Sequence, residues 1–300
     1  SRGMGEGWSD FFGLALNAEP GDDFTQAYST GSYATRDFPG IGTLNAYYGI
    51  RRYPYSIDFA KSPLLYGDIN PNIGPRTYAA PRNTAFANTA DEVHNVGEVW
   101  CNTLLEARYQ ISLTEGFAAN NTMMQLVVDG MKLAPGSPNF LQERDAILQA
   151  DMVRYGGSHQ FALWTAFARR GLGSEAQSAN ASAASAIENF QIPFRIDYTF
   201  PSGTPTQLSP TSSTSFPVQA APFNLTITPG TGRIFYAVGS GAFTSAPLTE
   251  VGSGSFVATL PAAACFSNFR YYLSFDTNVG ARTSPANAPA LTFSGQVFTQ

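Results

Sequence analysis

Residues 3–13 read GMGEGWSDFFG, and the reading of this stretch decides the fold. Glu6 and Asp10 stand four apart, so on a helix they share a face. Two readings are open at this point. An acidic pair at that spacing is ordinarily a solvated helix face. It also suits a metal site, in which one carboxylate binds the ion and the other orients a neighbouring ligand's ring N–H. Gly3, Gly5 and Gly7 precede the apolar run without an obvious opening element, and the chain does not begin with Met. It therefore reads as a chain that enters mid-fold, by processing or truncation.

Further along, Val96, Val99, Trp100, Leu104 and Ile111 recur at helical spacing within VGEVWCNTLLEARYQI. MMQLVVDGMKL and residues 140–155 continue in that style. FALWTAFARRGLG puts Phe161, Trp164, Phe167 and Ala168 on one face, then closes on Arg169, Arg170 and Gly171, a helix stop. The Ala/Ser-rich residues 176–188 read as a last surface helix. Beyond Pro193 the pattern changes. The runs FRIDYTF, FNLTI, RIFYAV, SFVATL, FRYYLSF and ALTFSGQVF are separated by turn residues such as TPGTGR and GSGS. Short punctuated strands of this kind indicate a β-sandwich. The Pro/Ser/Thr-rich stretch from Pro201 to Phe216 reads as a long loop within it. The predicted architecture is α+β and multidomain: a mainly helical part over 1–193 and a β-sandwich over 194–300.

Composition narrows the function. Charged residues are 13% of the 300, about half the usual ~25%. Hydrophobic residues at 43% and aromatics at 13% exclude wholesale disorder. The net charge is −5 and no basic patch is visible, which argues against a nucleic-acid partner. No apolar run is long enough for a membrane-spanning helix. The two cysteines, Cys101 and Cys265, exclude a disulfide scaffold and read as free thiols. With only His94 and His159, a three-histidine zinc site within this chain is excluded. The β part holds no histidine and few charges. Its aromatics Tyr236, Phe243, Tyr271 and Tyr272 either form a binding strip for sugar or protein, or fill the core by strand alternation.

GEGWSDFFG resembles the segment that carries the third zinc ligand in the fungalysin-type metallopeptidases, family M36, which are thermolysin-like. GIRRYPYS, DEVHNVGEVW, RDAILQADMVRYGG and LWTAFARRGLG resemble further segments of that family, in the same order, from Gly3 to about Phe190. The resemblance implies the mainly helical C-terminal lobe of a thermolysin-like catalytic domain, followed by an immunoglobulin- or fibronectin-like sandwich. It implies Glu6 as a ligand to one catalytic Zn2+, Asp10 as the carboxylate that orients a neighbouring ligand, His94 as the donor to the transition-state oxyanion and Arg51 as the donor to a substrate carbonyl. Arg52 competes with Arg51 for that register. Asp91, three before His94, is the candidate to orient its imidazole. Glu92 and Glu98 read as solvated, and His159 as structural. The family's H-E-x-x-H is absent from this chain, so two histidine ligands and the general-base Glu have no counterpart here. The expected partners are a peptide substrate and a missing N-terminal lobe, without which the wall around Phe11, Phe12 and Leu14 would stand exposed. The expected function is a secreted zinc metalloendopeptidase, inactive as this chain alone. The competing expectation is a non-catalytic secreted binding or structural protein that keeps a degenerate peptidase lobe.

Overall fold

The computed structural model describes residues 2–36, 45–180 and 185–298. They fall into two units, 1–192 and 193–300. The first carries α1 (Arg2–Leu16), α2 (Asn45–Tyr48), α3 (Val93–Glu115), α4 (Ala119–Leu133), α5 (Phe140–Tyr155) and α6 (Gln160–Arg169). α3 is the axis: α1, α4 and α6 pack against it, and α5 packs on α4. Val96, Val99, Trp100, Leu104 and Ile111, the residues that set its period, are all buried.

The glycines of residues 3–13 do not precede a helix; they lie inside α1. Their role is close approach. A Cβ on Gly7 would sit 2.6 Å from the carbonyl oxygen of Gly97, and one on Gly97 would sit 2.7 Å from Cβ of Glu6. Neither distance is tolerated, so the two glycines let α1 lie backbone to backbone on α3. Phe11 is fully buried in this packing rather than orphaned.

α3 also buries polar residues that a simple amphipathic pattern assigns to solvent. Glu98 and Asn102 face the irregular segment 51–57 and accept from its backbone. The Glu98 carboxylate takes the N–H of Arg52 at 2.6 Å, and Asn102 Oδ1 takes that of Ser56 at 3.4 Å. A buried loop leaves amides without ladder partners, and these side chains supply them. Glu98 is therefore not solvated, as the sequence reading had it, but 1% exposed.

α6 departs from its pattern in two places. Phe161 is 56% exposed and lies off the apolar face. Arg170 is no surface cation at a helix end: it is fully buried beside Glu106 and donates to the carbonyls of Ser56, Ser62 and Leu64. Residues 176–180 and 186–188 are not helical. Gln177 bridges Ile187 instead, and residues 181–184 lie outside the described ones.

The second unit holds two sheets. One runs β1 (Arg195–Thr199), β3 (Thr214–Phe223), β7 (Ser255–Leu260), β6 (Thr249–Gly252). The other runs β2 (Gln207–Leu208), β10 (Phe293–Val297), β8 (Asn268–Phe275), β4 (Arg233–Val238), β5 (Thr244–Pro247), with β9 (Arg282–Ser284) on β8. One apolar core draws on both, with Phe216, Val218 and Ala258 from the first and Ile234, Tyr271 and Leu273 from the second. The stretch from Pro201 to Phe216 is not one loop. It holds β2 and the start of β3, the longest strand, whose Pro217 and Pro222 disguise it. Among the four candidate aromatics, Tyr271 is core and Tyr236 packs against it. Tyr272 lies outside, stacked on Phe235 with centroids 4.7 Å apart and edge-on to Phe243 at 5.1 Å.

Candidate active site

The first unit brings Glu6, Asp10, Arg51 and His94 to one place. Glu6 and Asp10 share the face of α1 that looks toward the 51–57 segment and the start of α3. Arg51 is 4% exposed and grips Asp10 with two N–H groups, Nε to Oδ2 at 2.6 Å and Nη2 to Oδ1 at 3.0 Å. This two-pronged pairing is the strong form of a charge-assisted bond. The Tyr55 hydroxyl donates to the same Oδ2. Burial, then the nearby Cys101 thiol and the Asp10 charge, push that hydroxyl well up, so it keeps its proton and donates. For Arg51, burial works against its charge, but the bonds to Asp10 and Tyr55 outweigh it and hold the charge in place. Cys101, alongside, is a buried free thiol raised well above its ordinary range by burial, and so unreactive.

Glu6 is different. Its side chain is 39% exposed, and among the described residues nothing donates a hydrogen bond to it. Its Oε2 faces Arg51 Nη2 at 3.9 Å and His94 Nε2 at 3.7 Å. It is a carboxylate with lone pairs to give, held between two cations or potential cations.

His94 stands in the first turn of α3, half exposed. Its Nδ1 lies 2.7 Å from Oε1 of Glu92. Oε2 of the same Glu92 caps the helix, accepting from the backbone N–H of His94 and of Asn95, each at 3.0 Å. Burial works against the Glu92 charge, but the bonds from His94 and Asn95 prevail and hold its carboxyl below the usual range. A carboxylate on Nδ1 fixes the ring and leaves Nε2 on the side facing Glu6. The sequence reading assigned this orienting task to Asp91. Asp91 is exposed and makes no such bond; Glu92 does the work, and it is not a freely solvated residue.

Arg52 is separated from Arg51 by function as well as register. It is fully buried, paired with Glu98 at 2.8 Å and bonded to the Asn95 carbonyl at 3.0 Å. Arg51 instead lines a cavity of about 360 Å3 together with His94, Glu92 and Phe86. His159 lies elsewhere, between Asp151 and Glu115, each at 2.7 Å from one ring nitrogen.

Tyr55 was missed from sequence. It sits within GIRRYPYS, but nothing in that string says that it will reach a carboxylate on α1. Glu92 was read as solvent-facing because Glu is not a usual helix cap.

The fungalysin metallopeptidase (M36) profile matches residues 1–176. The chain belongs to the M36 fungalysin family. Its curated relatives include "Extracellular metalloproteinase mep" of Aspergillus fumigatus, 37% identical over a 191-residue alignment that covers 59% of this chain and 26% of that protein. The protein of that name from Aspergillus niger is 36% identical, over 59% of this chain and 26% of its own length. "Extracellular metalloproteinase 2" of Trichophyton rubrum is 33% identical, over 64% and 28%. The M36 chain described here thus spans about a quarter of the length of these relatives. A metal belongs to this family's chemistry. Glu6 fits one ligand of such a site, because its carboxylate is accessible and unspent. Among the described residues the set is not complete: no three His, Cys, Asp or Glu side chains cluster to hold an ion, and a catalytic zinc takes three protein ligands.

Proposed function

We propose that this chain is one wall of the active-site cleft of a secreted zinc metalloendopeptidase, its other ligands lying outside the chain. The observation that supports this best is the pairing of an unspent carboxylate, Glu6, with His94 Nε2 at 3.7 Å, beside a buried Arg51 that lines the same cavity as His94. The fungal relatives, each called an extracellular metalloproteinase, support secretion. A zinc held in part by Glu6 would supply Lewis-acid polarisation of a peptide carbonyl. The chain's own residues do the rest on this side. Glu92 holds His94 in the orientation that presents Nε2 to a developing oxyanion. Arg51, anchored by Asp10, offers its remaining N–H groups to a substrate carbonyl. Asp10 has about four lone-pair sites; three are taken by Arg51 and Tyr55, which leaves one for the N–H of a ligand imidazole.

The β unit is best read as an immunoglobulin-like accessory module. Its strand order β1-β3-β7-β6 against β10-β8-β4, with β2 parallel to β10, follows the A-B-E-D against G-F-C arrangement.

The test uses the complete enzyme. Glu6→Ala should lose zinc. His94→Ala should keep zinc and lower kcat by about 10²–10³, as loss of one oxyanion donor does. Full metal content and full activity in both variants would refute the assignment. Loss of metal from His94→Ala alone would make His94 a ligand.

A further inference from the structure

Five arginines of the described residues are buried: Arg51, Arg52, Arg108, Arg144 and Arg170. Four have acceptors. Arg51 and Arg52 have carboxylates, Arg144 has the carbonyls of Leu172 and Gly173, and Arg170 has those of Ser56, Ser62 and Leu64. Arg108 is the exception. It is 6% exposed, and among the described residues no group accepts a hydrogen bond from it or pairs with it. Its guanidinium lies over the Phe24 ring, 4.7 Å from the centroid. A guanidinium carries its charge at every accessible pH and is seldom buried without an anion.

The side chain lines two neighbouring cavities of about 420 and about 270 Å3. The larger runs along α1 past Asp10 and Leu14 toward Thr30, whose hydroxyl is also buried without a partner. Both cavities share Glu19 and Asp22 with Arg108. Neither carboxylate forms an ion pair with the guanidinium; Asp22 Oδ2 instead accepts the backbone N–H of Glu19 at 2.9 Å. Leu14 and Leu105 add apolar surface.

This lining selects by charge. A simple anion would meet Asp22 and Glu19; a simple cation would meet Arg108. A ligand that carries a carboxylate and an ammonium on one carbon, with an apolar side chain for the Leu14 and Leu105 wall, satisfies all three. We propose that the cavity behind Asp10 binds a small zwitterion of α-amino-acid type, its carboxylate held by the Arg108 fork and its ammonium directed at Asp22 and Glu19. The planar fork matches a carboxylate in two-pronged fashion. Such a ligand is what complete peptide hydrolysis releases, but the site stands on Arg108 and its cavity and not on the proposed activity.

The probe is L-leucine, titrated into the 300-residue chain with the arginine Nε–H signals followed by NMR. Wild type should show one saturable arginine shift. N-acetyl-leucine, which lacks the ammonium, and leucinamide, which lacks the carboxylate, should each bind at least about tenfold more weakly, about 1.4 kcal/mol. The variants at Arg108 lose that signal, so their L-leucine binding is followed by calorimetry; Arg108→Met should abolish it, with tryptophan fluorescence checking that the first unit is folded. Arg108→Lys keeps the charge and loses the fork; it should weaken L-leucine at least about tenfold and serves if the Met variant does not fold. Asp22→Asn should bring L-leucine down toward N-acetyl-leucine. No arginine shift with L-leucine overturns the proposal. So does equal affinity for N-acetyl-leucine, or a response to inorganic phosphate alone, since either would make the site one for anions. Unchanged L-leucine affinity in Arg108→Lys overturns it as well.

Discussion

Replacing Asp10 by Asn tests whether the site is held rigid by a buried ion pair. Asp10 is 7% exposed and accepts two N–H groups of Arg51, itself 4% exposed, and the hydroxyl of Tyr55, which is fully buried. The amide keeps the shape but loses the charge and turns one acceptor into a donor. Arg51 is left with only the more distant, partly exposed Glu6 carboxylate at 3.9 Å, and one of its N–H groups, or the Tyr55 hydroxyl, faces another donor. Breaking one side of such a pair costs about 3–5 kcal/mol. For a unit of this size each kcal/mol moves Tm by about 2–4 °C, so the melt should fall by about 6–20 °C. All three tryptophans, Trp8, Trp100 and Trp164, lie in the first unit. Tryptophan fluorescence therefore reads that unit alone, and melting of the β unit does not interfere. Glu6→Gln is the control. Its carboxylate accepts no hydrogen bond and is partly exposed, so the change should stay within about 0.5 kcal/mol. Asp10→Leu with Arg51→Met, which removes both charges, should recover much of the loss. An Asp10→Asn melt within 2 °C of wild type, or a double variant worse than the single, would refute this account.

Other perturbations follow from the same packing. Glu143 is fully buried and, among the described residues, neither of its carboxylate oxygens has a hydrogen-bond partner; burial pushes its carboxyl up to about 7 from 4.5. A raised folded value gives stability that is whole below pH 4.5 and lost as pH rises through about 7. Glu143→Gln should thus gain about 3 kcal/mol at pH 8 and nothing at pH 4.5; equal melts at pH 8 would exclude a buried charge there. For His159, burial favours the neutral ring, but the bonds to Glu115 and Asp151 prevail and raise it. Its contribution is complete below the ordinary histidine range and lost as pH rises past the raised value, so His159→Gln should flatten that alkaline decline in a melting series. Gly97→Ala drives a methyl into α1, where overpacking costs about 1–3 kcal/mol. In the complete enzyme it should also separate Glu6 from His94 and lower activity before the fold is lost; an unchanged kcat would show that the α1–α3 spacing does not set the site.

How much of this was legible in the sequence depends on which force decided each part. The helices α3, α5 and α6 were readable because packing of an apolar face imposes a period, and their bounds follow it. The strands RIFYAV, SFVATL and FRYYLSF were readable by alternation. β3 was not, because Pro217 and Pro222 are strand breakers by composition. Pro222 stands opposite Ile196 on β1, and Pro217 opposite Val257 on β7, in regular antiparallel register all the same. The described residues 176–180 and 186–188 of the Ala/Ser-rich stretch departed the other way. Local helix propensity was outbid by pairing of Gln177 with Ile187 and of Leu172 with Asn189.

The site divides along the same line. Glu6, Asp10, Arg51 and His94 were found through motif order, and the fold brings them together. Their supports were not found, because a hydrogen bond across forty residues leaves no mark on spacing. Tyr55 reaches Asp10 only because Gly7 and Gly97 let α1 lie against α3. Glu98 is buried only because the amide of Arg52 needs an acceptor there. Glu92 orients His94 only because α3 begins at Val93 and needs a cap. Glu98 and Glu92 are placed by a backbone's unmet hydrogen-bonding capacity and Tyr55 by that of a buried carboxylate, and that capacity exists only once the chain is folded. The charged residues that hold a site in shape are therefore the last to be read from sequence. Tyr55 and Glu98 are also the ones whose removal should cost most in stability, because each holds a buried charged partner that water cannot reach.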